Sequence, residues 1–363
     1  MKVAKLSWTA FRLPLRSPFQ TASGEISHRE GLILQLKTDD GIVGLGEASP
    51  HPAASPGTLQ KLTNALAEIA PRLLGIGVER LEIDAPPPLA CAIDTASCDA
   101  LAQANGVSVA RLLCERPLDR VPVNATLAAA TTAEAAGLAA AAREAGFTCV
   151  KLKVGMAASP KEERGHVAAV RAALGPDVAL RIDANGAWQA GQAITTIQAL
   201  EPFDLEFVEQ PIAPGQLAEM ARVRAAVAVP IAADEDVTSV ESARRVLAAG
   251  AADALVVKPM TCGGMKPARK IATLADDAGV AVIVTTTIDS GVGTAAALQL
   301  AATLPENGPA CGLATSSLLM DDLVSAPLSA QNGWLDVPAG PGLGVELDEA
   351  KVARYCIDRG EVA

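Results

Sequence analysis

Eight short apolar runs, separated by alanine-rich stretches of helical character, occupy the chain from Val121 to Thr315 and constrain its fold more than any other feature. They read VPVNAT (121–126), TCVKLK (148–153), VALRID (178–183), LEFVEQ (205–210), VPIAAD (229–234), DALVVK (253–258), VAVIVTTT (280–287) and ACGLAT (310–315). Helix starts are legible between them. Thr131 with Glu134, Ser159 with Glu162 and Thr238 with Glu241 have the spacing of a capping box, and Pro160 takes a first-turn position. Eight strand–helix units across roughly 200 residues predict an α/β fold closed as a (β/α)8-type barrel. The competing architecture is an open doubly wound sheet. Its phosphate fingerprint, GxGxxG after the first strand, does not follow VPVNAT.

The flanks have a different texture. Residues 3–13 alternate like a strand, and ILQLKT (33–38) and IVGLGEA (42–48) flank Asp39-Asp40-Gly41, a strong hairpin signal. The polar stretch Leu15–Arg29 and the proline-rich SPHPAASPG at 49–57 read as loops. Helical patterns follow at 58–74 and 89–105, separated by Pro86-Pro87-Pro88. Residues 1–120 are therefore expected to form an α+β domain and 121–327 the barrel. Residues 328–363 have lost the period and are expected to return to the first domain.

Composition removes several functions. The 363 residues carry 30 Lys and Arg against 41 Asp and Glu, a net charge of −11, and are 2% aromatic. Such a chain lacks both the basic footprint for phosphate backbones and the stacking platforms for unpaired bases, so nucleic acid is excluded as a partner. The three histidines (His28, His51, His166) include no HExxH, and the seven cysteines no CxxC, which argues against zinc. With no apolar signal core and no apolar run of about 18 residues, neither export nor membrane insertion is expected. The reading is a cytoplasmic protein with buried, reduced thiols.

Charges mark the ends of the apolar runs. Lys151 and Lys153 close the second, Asp183 the third, Glu209 the fourth, Asp234 the fifth and Lys258 the sixth, at intervals of 30, 26, 25 and 24 residues from Lys153. In a barrel the C-terminal strand ends converge on one mouth. A single acid after a strand is ordinarily a helix cap. Three on consecutive strands repel one another unless a cation neutralises them, and oxygen donors without sulfur or imidazole suit Mg²⁺. Lys151 and Lys153 alternate with Leu152, so both face the interior. Neighbouring ammonium groups beside a metal are expected to depress each other's pKa, which makes a lysine a base near neutral pH.

The segments VKLKVG, RIDANGAW, FVEQP, AADE and VVKPMTCGG, in this order and spacing, resemble the enolase superfamily. More narrowly they resemble its muconate lactonizing enzyme subgroup, with Lys-x-Lys on strand two and a lysine on strand six. The resemblance spans nearly the whole chain and implies that the first 120 residues and the tail form a capping domain. It implies Mg²⁺ on Asp183, Glu209 and Asp234, with Lys153 as base, Lys151 its neighbour and Lys258 on the opposite face. Asn185 and Glu235 match supporting positions near the metal, although Glu235 could equally cap the next helix. The superfamily uses a Lys or His base with Mg²⁺ to stabilise an ene-diolate formed by loss of a proton α to a carboxylate. The implied partner is a small-molecule carboxylate, with self-association left open.

Residues near the last two strands bear on which reaction is catalysed. The mandelate racemase branch places a His base after strand seven, where this chain has Thr285-Thr286-Thr287-Ile288-Asp289-Ser290. Dipeptide epimerases place two acids at the end of strand eight, where this chain has Ala314-Thr315-Ser316-Ser317. Asp289, Ser290, Thr315 and Ser316 are the candidate substrate contacts. The tail GLATSSLLMDDL with WLDVPAGPGLGVELD resembles the o-succinylbenzoate synthase branch, implying a lyase that dehydrates a cyclohexadiene carboxylate on the way to menaquinone. Muconate cycloisomerase and dipeptide or N-acylamino acid epimerase or racemase remain alternatives, as does a barrel that binds without turnover.

Overall fold

A computed structural model describes residues 1–21, 24–52, 54–55, 57–129, 131–157 and 159–363. The chain opens with β1 (Val3–Thr21), β2 (Gly24–Thr38) and β3 (Val43–Ala48). These pair antiparallel, and Gly41 at φ 93° supplies the turn between β2 and β3. The polar stretch 15–29 is not a loop. Most of it belongs to β1 and β2, which pair out to Thr21 and Gly24. A two-stranded ribbon extending beyond its core has no wholly buried face, so alternation fades while pairing persists. Residues 22 and 23, within that stretch, and 53 and 56, within the proline-rich loop, lie outside the described residues.

Helices Thr58–Leu73 and Pro87–Ala104 cover this sheet. The second approaches β3 closely: a Cβ on Gly46 would lie 1.9 Å from the Ala92 carbonyl oxygen, so that face of β3 accepts only glycine. The barrel strands follow β4 (Arg120–Pro122): they are β5 (Ala125–Leu127), β6 (Cys149–Lys153), β7 (Ala179–Asp183), β8 (Leu205–Glu209), β9 (Ile231–Ala233), β10 (Ala254–Val257) and β11 (Ala281–Val284). β5 to β11 form one parallel sheet in sequence order. The eighth run is too short to count as a strand, yet it bridges both edges. Cys311 pairs with Val123 and Gly312 with Thr285, through Asn124 N–H to Cys311 O (3.0 Å) and Gly312 N–H to Val284 O (2.9 Å).

The first run splits at Val123–Asn124. Its leading part, β4, leaves the barrel to pair antiparallel with β12 (Trp334–Asp336). Strand β13 (Cys356–Val362) adds to β1, completing the sheet order β13-β1-β2-β3. Phe11, Leu13, Leu15, Ile33 and Leu45 of the first sheet share one continuous core with the barrel, so the two parts are packed together. Thr131 and Ser159 cap their helices by accepting from the N–H groups of Glu134 and Glu162. The helix after β9 begins one residue later than its sequence suggests. Ser239 is the cap and Ser242 closes the box, because the Ser242 hydroxyl also serves the Thr238 N–H. No helix among the described residues is long and apolar enough to cross a membrane.

Candidate active site

Register builds the site. Lys153 lies opposite Asp183 and Asp183 opposite Glu209, with Glu209 beside Ala232, two residues before Asp234. Val150 and Leu152 are buried in the core, while Lys151 and Lys153 project to the other face, 12% and 23% exposed. The Lys153 ammonium donates to Asp183 Oδ2 (2.5 Å) and Asn185 Oδ1 (2.8 Å). Lys151 spans Glu209 (2.8 and 3.1 Å) and Asp183 (3.1 Å). Lys258, just beyond β10, donates to Asp234 Oδ2 (2.6 Å). One mouth thus gathers three lysines and three carboxylates from five strand ends.

The protein's own charges set the lysines' electrostatics when no cation is bound. Burial works against the charge of Lys151, but Glu209, Asp183 and Asp234 outweigh it and hold the ammonium well above its ordinary pKa. Lys258 is raised in the same way, with Asp234 overcoming burial. Neither lysine is depressed, because each ammonium is paired directly with a carboxylate. The acids carry the strain. Burial, then Asp183, push the Glu209 carboxyl up to about 8 despite Lys151. Burial also opposes ionisation of Asp183, yet Lys151 and Lys153 together hold it below the usual carboxylate range.

Glu235 joins this group instead of capping a helix. Its Oε1 accepts from Asn185 Nδ2 (2.9 Å), and its buried Oε2 has no hydrogen-bond partner. Burial and Asp234 raise its pKa. Asn185 adopts φ 44°, a conformation that asparagine tolerates better than most residues, and its N–H returns to Asp183 Oδ1 (3.0 Å). Among the described residues no three acidic, His or Cys side chains are preassembled as a metal cage, since the lysines occupy the carboxylate oxygens. The donor set nonetheless fits a hard divalent cation. Three buried acids and the half-buried Glu235 face three ammonium groups, and one acid oxygen is left unpaired.

The remaining candidates separate. Thr315 lies at the mouth, its hydroxyl 2.7 Å from that of Thr286. Ser316 turns away to donate to Leu328 O (2.7 Å) and lines a different cavity of about 550 Å³ with Arg16, Phe147 and Met320. Asp289 and Ser290 are buried and engaged elsewhere. Asp289 accepts from the Thr287 hydroxyl (2.5 Å), and the Ser290 hydroxyl donates to Glu47 Oε2 (2.5 Å).

Sequence reasoning passes over Gln210. It is fully buried at φ 37°, accepting the Asp234 N–H (3.0 Å) and donating to Asp236 (2.8 Å) and Ile212 O (3.0 Å). It locks the end of β8 to the end of β9, between two of the acids. Its sequence signals are an amide at the end of an apolar run and its place in the FVEQP segment.

Residues 5–85 match the family "Mandelate racemase / muconate lactonizing enzyme, N-terminal domain", and residues 123–351 match "Enolase C-terminal domain-like". The chain is 37% identical to o-succinylbenzoate synthase of Thermobifida fusca (strain YX), over 96% of this chain and 91% of that protein. Its fold superposes with a TM-score of 0.92 on the N-succinyl Arg/Lys racemase from Bacillus cereus, 28% identical and covering 100% of both chains. It superposes at 0.89 on a dipeptide epimerase from Enterococcus faecalis complexed with Mg and the dipeptide L-Leu-L-Tyr, 28% identical, over 95% of this chain and 100% of that one. By its fold, its ordered strand-end charges and its sequence, the chain belongs to the enolase superfamily, in the muconate lactonizing enzyme subgroup.

Proposed function

We propose that this protein is a Mg²⁺-dependent lyase that removes a proton α to a carboxylate and expels a β-hydroxyl, the dehydration performed by o-succinylbenzoate synthases. The observation that carries this reading is the 37% identity to such an enzyme over 96% of the chain. The hydroxyl-rich end of the eighth segment supports it, because Thr315 and Thr286 offer no counter-charge for a substrate ammonium.

Asp183, Glu209 and Asp234 are the residues to hold Mg²⁺, which when bound supplies positive charge to the substrate carboxylate. Lys153, held by Asp183 and Asn185 at the mouth, is the residue placed to act as the base. Lys153 takes the α-proton, and the electron pair enters an ene-diolate. The protonated Lys153 returns that proton to the departing hydroxyl on the same face. The Cα–H and Cβ–O bonds break, a C=C bond forms and water leaves. Lys258, anchored on Asp234 from another strand, stabilises the anion from the opposite face. Asn185 and Glu235 orient the Lys153 head group.

The placement of Lys153 and Lys258 on separate strands, each paired with its own acid, also suits proton transfer between two faces. Racemisation of an N-acylamino acid is therefore the second reading. The deciding measurement is kcat/KM on the o-succinylbenzoate precursor beside an N-succinylamino acid, a dipeptide and muconate, with α-proton exchange in D2O followed with and without Mg²⁺. Dehydration should exceed the others by at least tenfold. A dominant racemisation rate would overturn the lyase reading, and no Mg²⁺-dependent exchange on any substrate would remove the enzyme reading altogether.

A further inference from the structure

A second set of buried charges joins the first sheet to the barrel, and the proposed chemistry does not use it. Glu47, at the end of β3 and 1% exposed, accepts from Ser49 Oγ (2.7 Å), Ser290 N–H (3.0 Å), Ser290 Oγ (2.5 Å) and Gly293 N–H (2.8 Å). It sits at the N-terminus of the helix Gly291–Ala301, where exposed N–H groups favour an anion. A Cβ on Gly293 would stand 2.7 Å from Asp289 Cβ and 3.0 Å from Glu47 Oε2, so this position admits only glycine.

Arg29 lies beside this joint. It is 4% exposed, and its guanidinium donates to two backbone carbonyls, Ile288 O (3.0 Å) and Pro50 O (2.9 Å). These carbonyls belong to the segment after β11 and to the loop after β3. Ile288 is held at φ 64°, a conformation costly for a β-branched residue, so something must over-determine it. The same loop is fixed from its other side, where the Ser49 N–H donates to Met260 Sδ (3.2 Å), two residues beyond Lys258. The next residue after Pro50 is His51, so the contacts of Ser49 and Pro50 set where His51 stands beside the segment that follows Lys258. A loop immobilised at Ser49 and Pro50 therefore presents His51 on the Lys258 side of the barrel mouth.

We infer that Arg29 is a positioning residue for substrate binding, holding the Pro50–His51 loop to the barrel mouth through its two carbonyl contacts. It touches no reacting atom and acts through His51. The inference rests on the enzyme reading given above.

The test is a double-mutant cycle with Arg29→Met and His51→Ala, measured on the best substrate at saturating Mg²⁺. Arg29→Met should raise KM about tenfold or more and leave kcat within about threefold, since the strand-end lysines and acids are untouched. Arg29→Lys, able to serve one carbonyl, should fall between. The double variant should have the KM of the worse single variant, because both changes disable one contact. A KM increase equal to the product of the two single effects would overturn the inference. So would a lowered melting temperature with unchanged KM, which marks a purely structural arginine. If Arg29→Met does not fold, Arg29→Lys takes its place in the cycle under the same criteria. A wild-type protein without α-proton exchange would instead sink the enzyme reading, so the two failures are distinguishable.

Discussion

The two ends of the barrel interior draw on the same strands, and their polar groups behave in opposite ways. Toward the N-terminal end, one inward-facing layer below the mouth, Arg181 of β7 is 1% exposed and fully engaged. It donates to Glu206 (2.6 and 3.3 Å), Ala310 O (2.6 Å) and Asn124 Oδ1 (3.4 Å), and lies 4.6 Å from the centre of the Phe207 ring. Glu206 reaches it because the β7–β8 register shifts between Leu180 and Arg181. At the C-terminal end, two residues along β7, Asp183 pairs with Lys151 and Lys153 and shares Lys151 with Glu209, whose carboxyl is pushed up to about 8. Nearby, one Glu235 oxygen has no partner at all. Phe207, Ala232, Ala254, Val256 and Ile283 form an apolar layer of their own in the barrel. A satisfied buried network stabilises a fold, while an unsatisfied one marks where a ligand is to complete it.

The largest effect that can break this contrast is on rate. Lys153→Ala should lower kcat by about 10²–10⁴-fold, the range general-base catalysis supplies, while changing the melting temperature little at saturating Mg²⁺. The loss of stability should be small at saturating Mg²⁺, because Lys151 remains beside Asp183 and a bound cation would replace the lost positive charge. Steady-state turnover and α-proton exchange measure the first part, and thermal unfolding the second. A stability loss as large as that of an ordinary core variant would mean that the mouth is built like the base.

The base predicts the reverse. Arg181→Met should cost about 2–3 kcal/mol, below the upper range for a broken buried pair because Glu206 is one-third exposed and partly solvated. KM and the Mg²⁺ requirement should remain near wild type, since Arg181 hydrogen-bonds to Glu206, Ala310 and Asn124 and to none of the mouth lysines or acids. Denaturant unfolding beside kinetics decides the point. A specific loss of activity with full stability would erase the distinction between the two ends.

How much of this is legible in the sequence follows from what fixes each feature. The alternation of Lys151, Leu152 and Lys153 determines which face each occupies, and barrel geometry then brings strand ends together, so this cluster can be read from one strand at a time. The hairpin at 15–29 is hidden because its pairing needs no buried stripe. Asp289 and Ser290 are legible as polar residues after a strand, but Glu47, the partner of Ser290, lies 243 residues away on another sheet. No local pattern encodes such a contact. The raised lysines escape the sequence for a related reason: their pKa depends on which carboxylate each ammonium touches, not on their spacing.

The joint around Glu47 tests whether a third buried cluster behaves like the base or like the mouth, through pH. Burial, then Glu47, push the Asp289 carboxyl up to about 7, against an ordinary value near 3.8. Between those values the folded protein holds a proton at this site that the unfolded chain has released. Stability therefore falls as pH rises from about 4 to about 7, and levels off above that. The penalty at neutral pH is at most about 4 kcal/mol, the full shift converted at 1.36 kcal/mol per unit. Asp289→Asn, which cannot ionise and keeps an acceptor for Thr287, should flatten this part of the profile. It should raise stability at pH 7.5 relative to pH 5 by comparison with wild type. Unfolding in denaturant across pH 4.5–8 gives the slope for both proteins. An unchanged slope would place the proton elsewhere and make the joint a fully satisfied structure like Arg181. A flattened one would show a buried acid kept under strain by the Glu47 carboxylate of the other sheet, which places the joint with the mouth and not with the base.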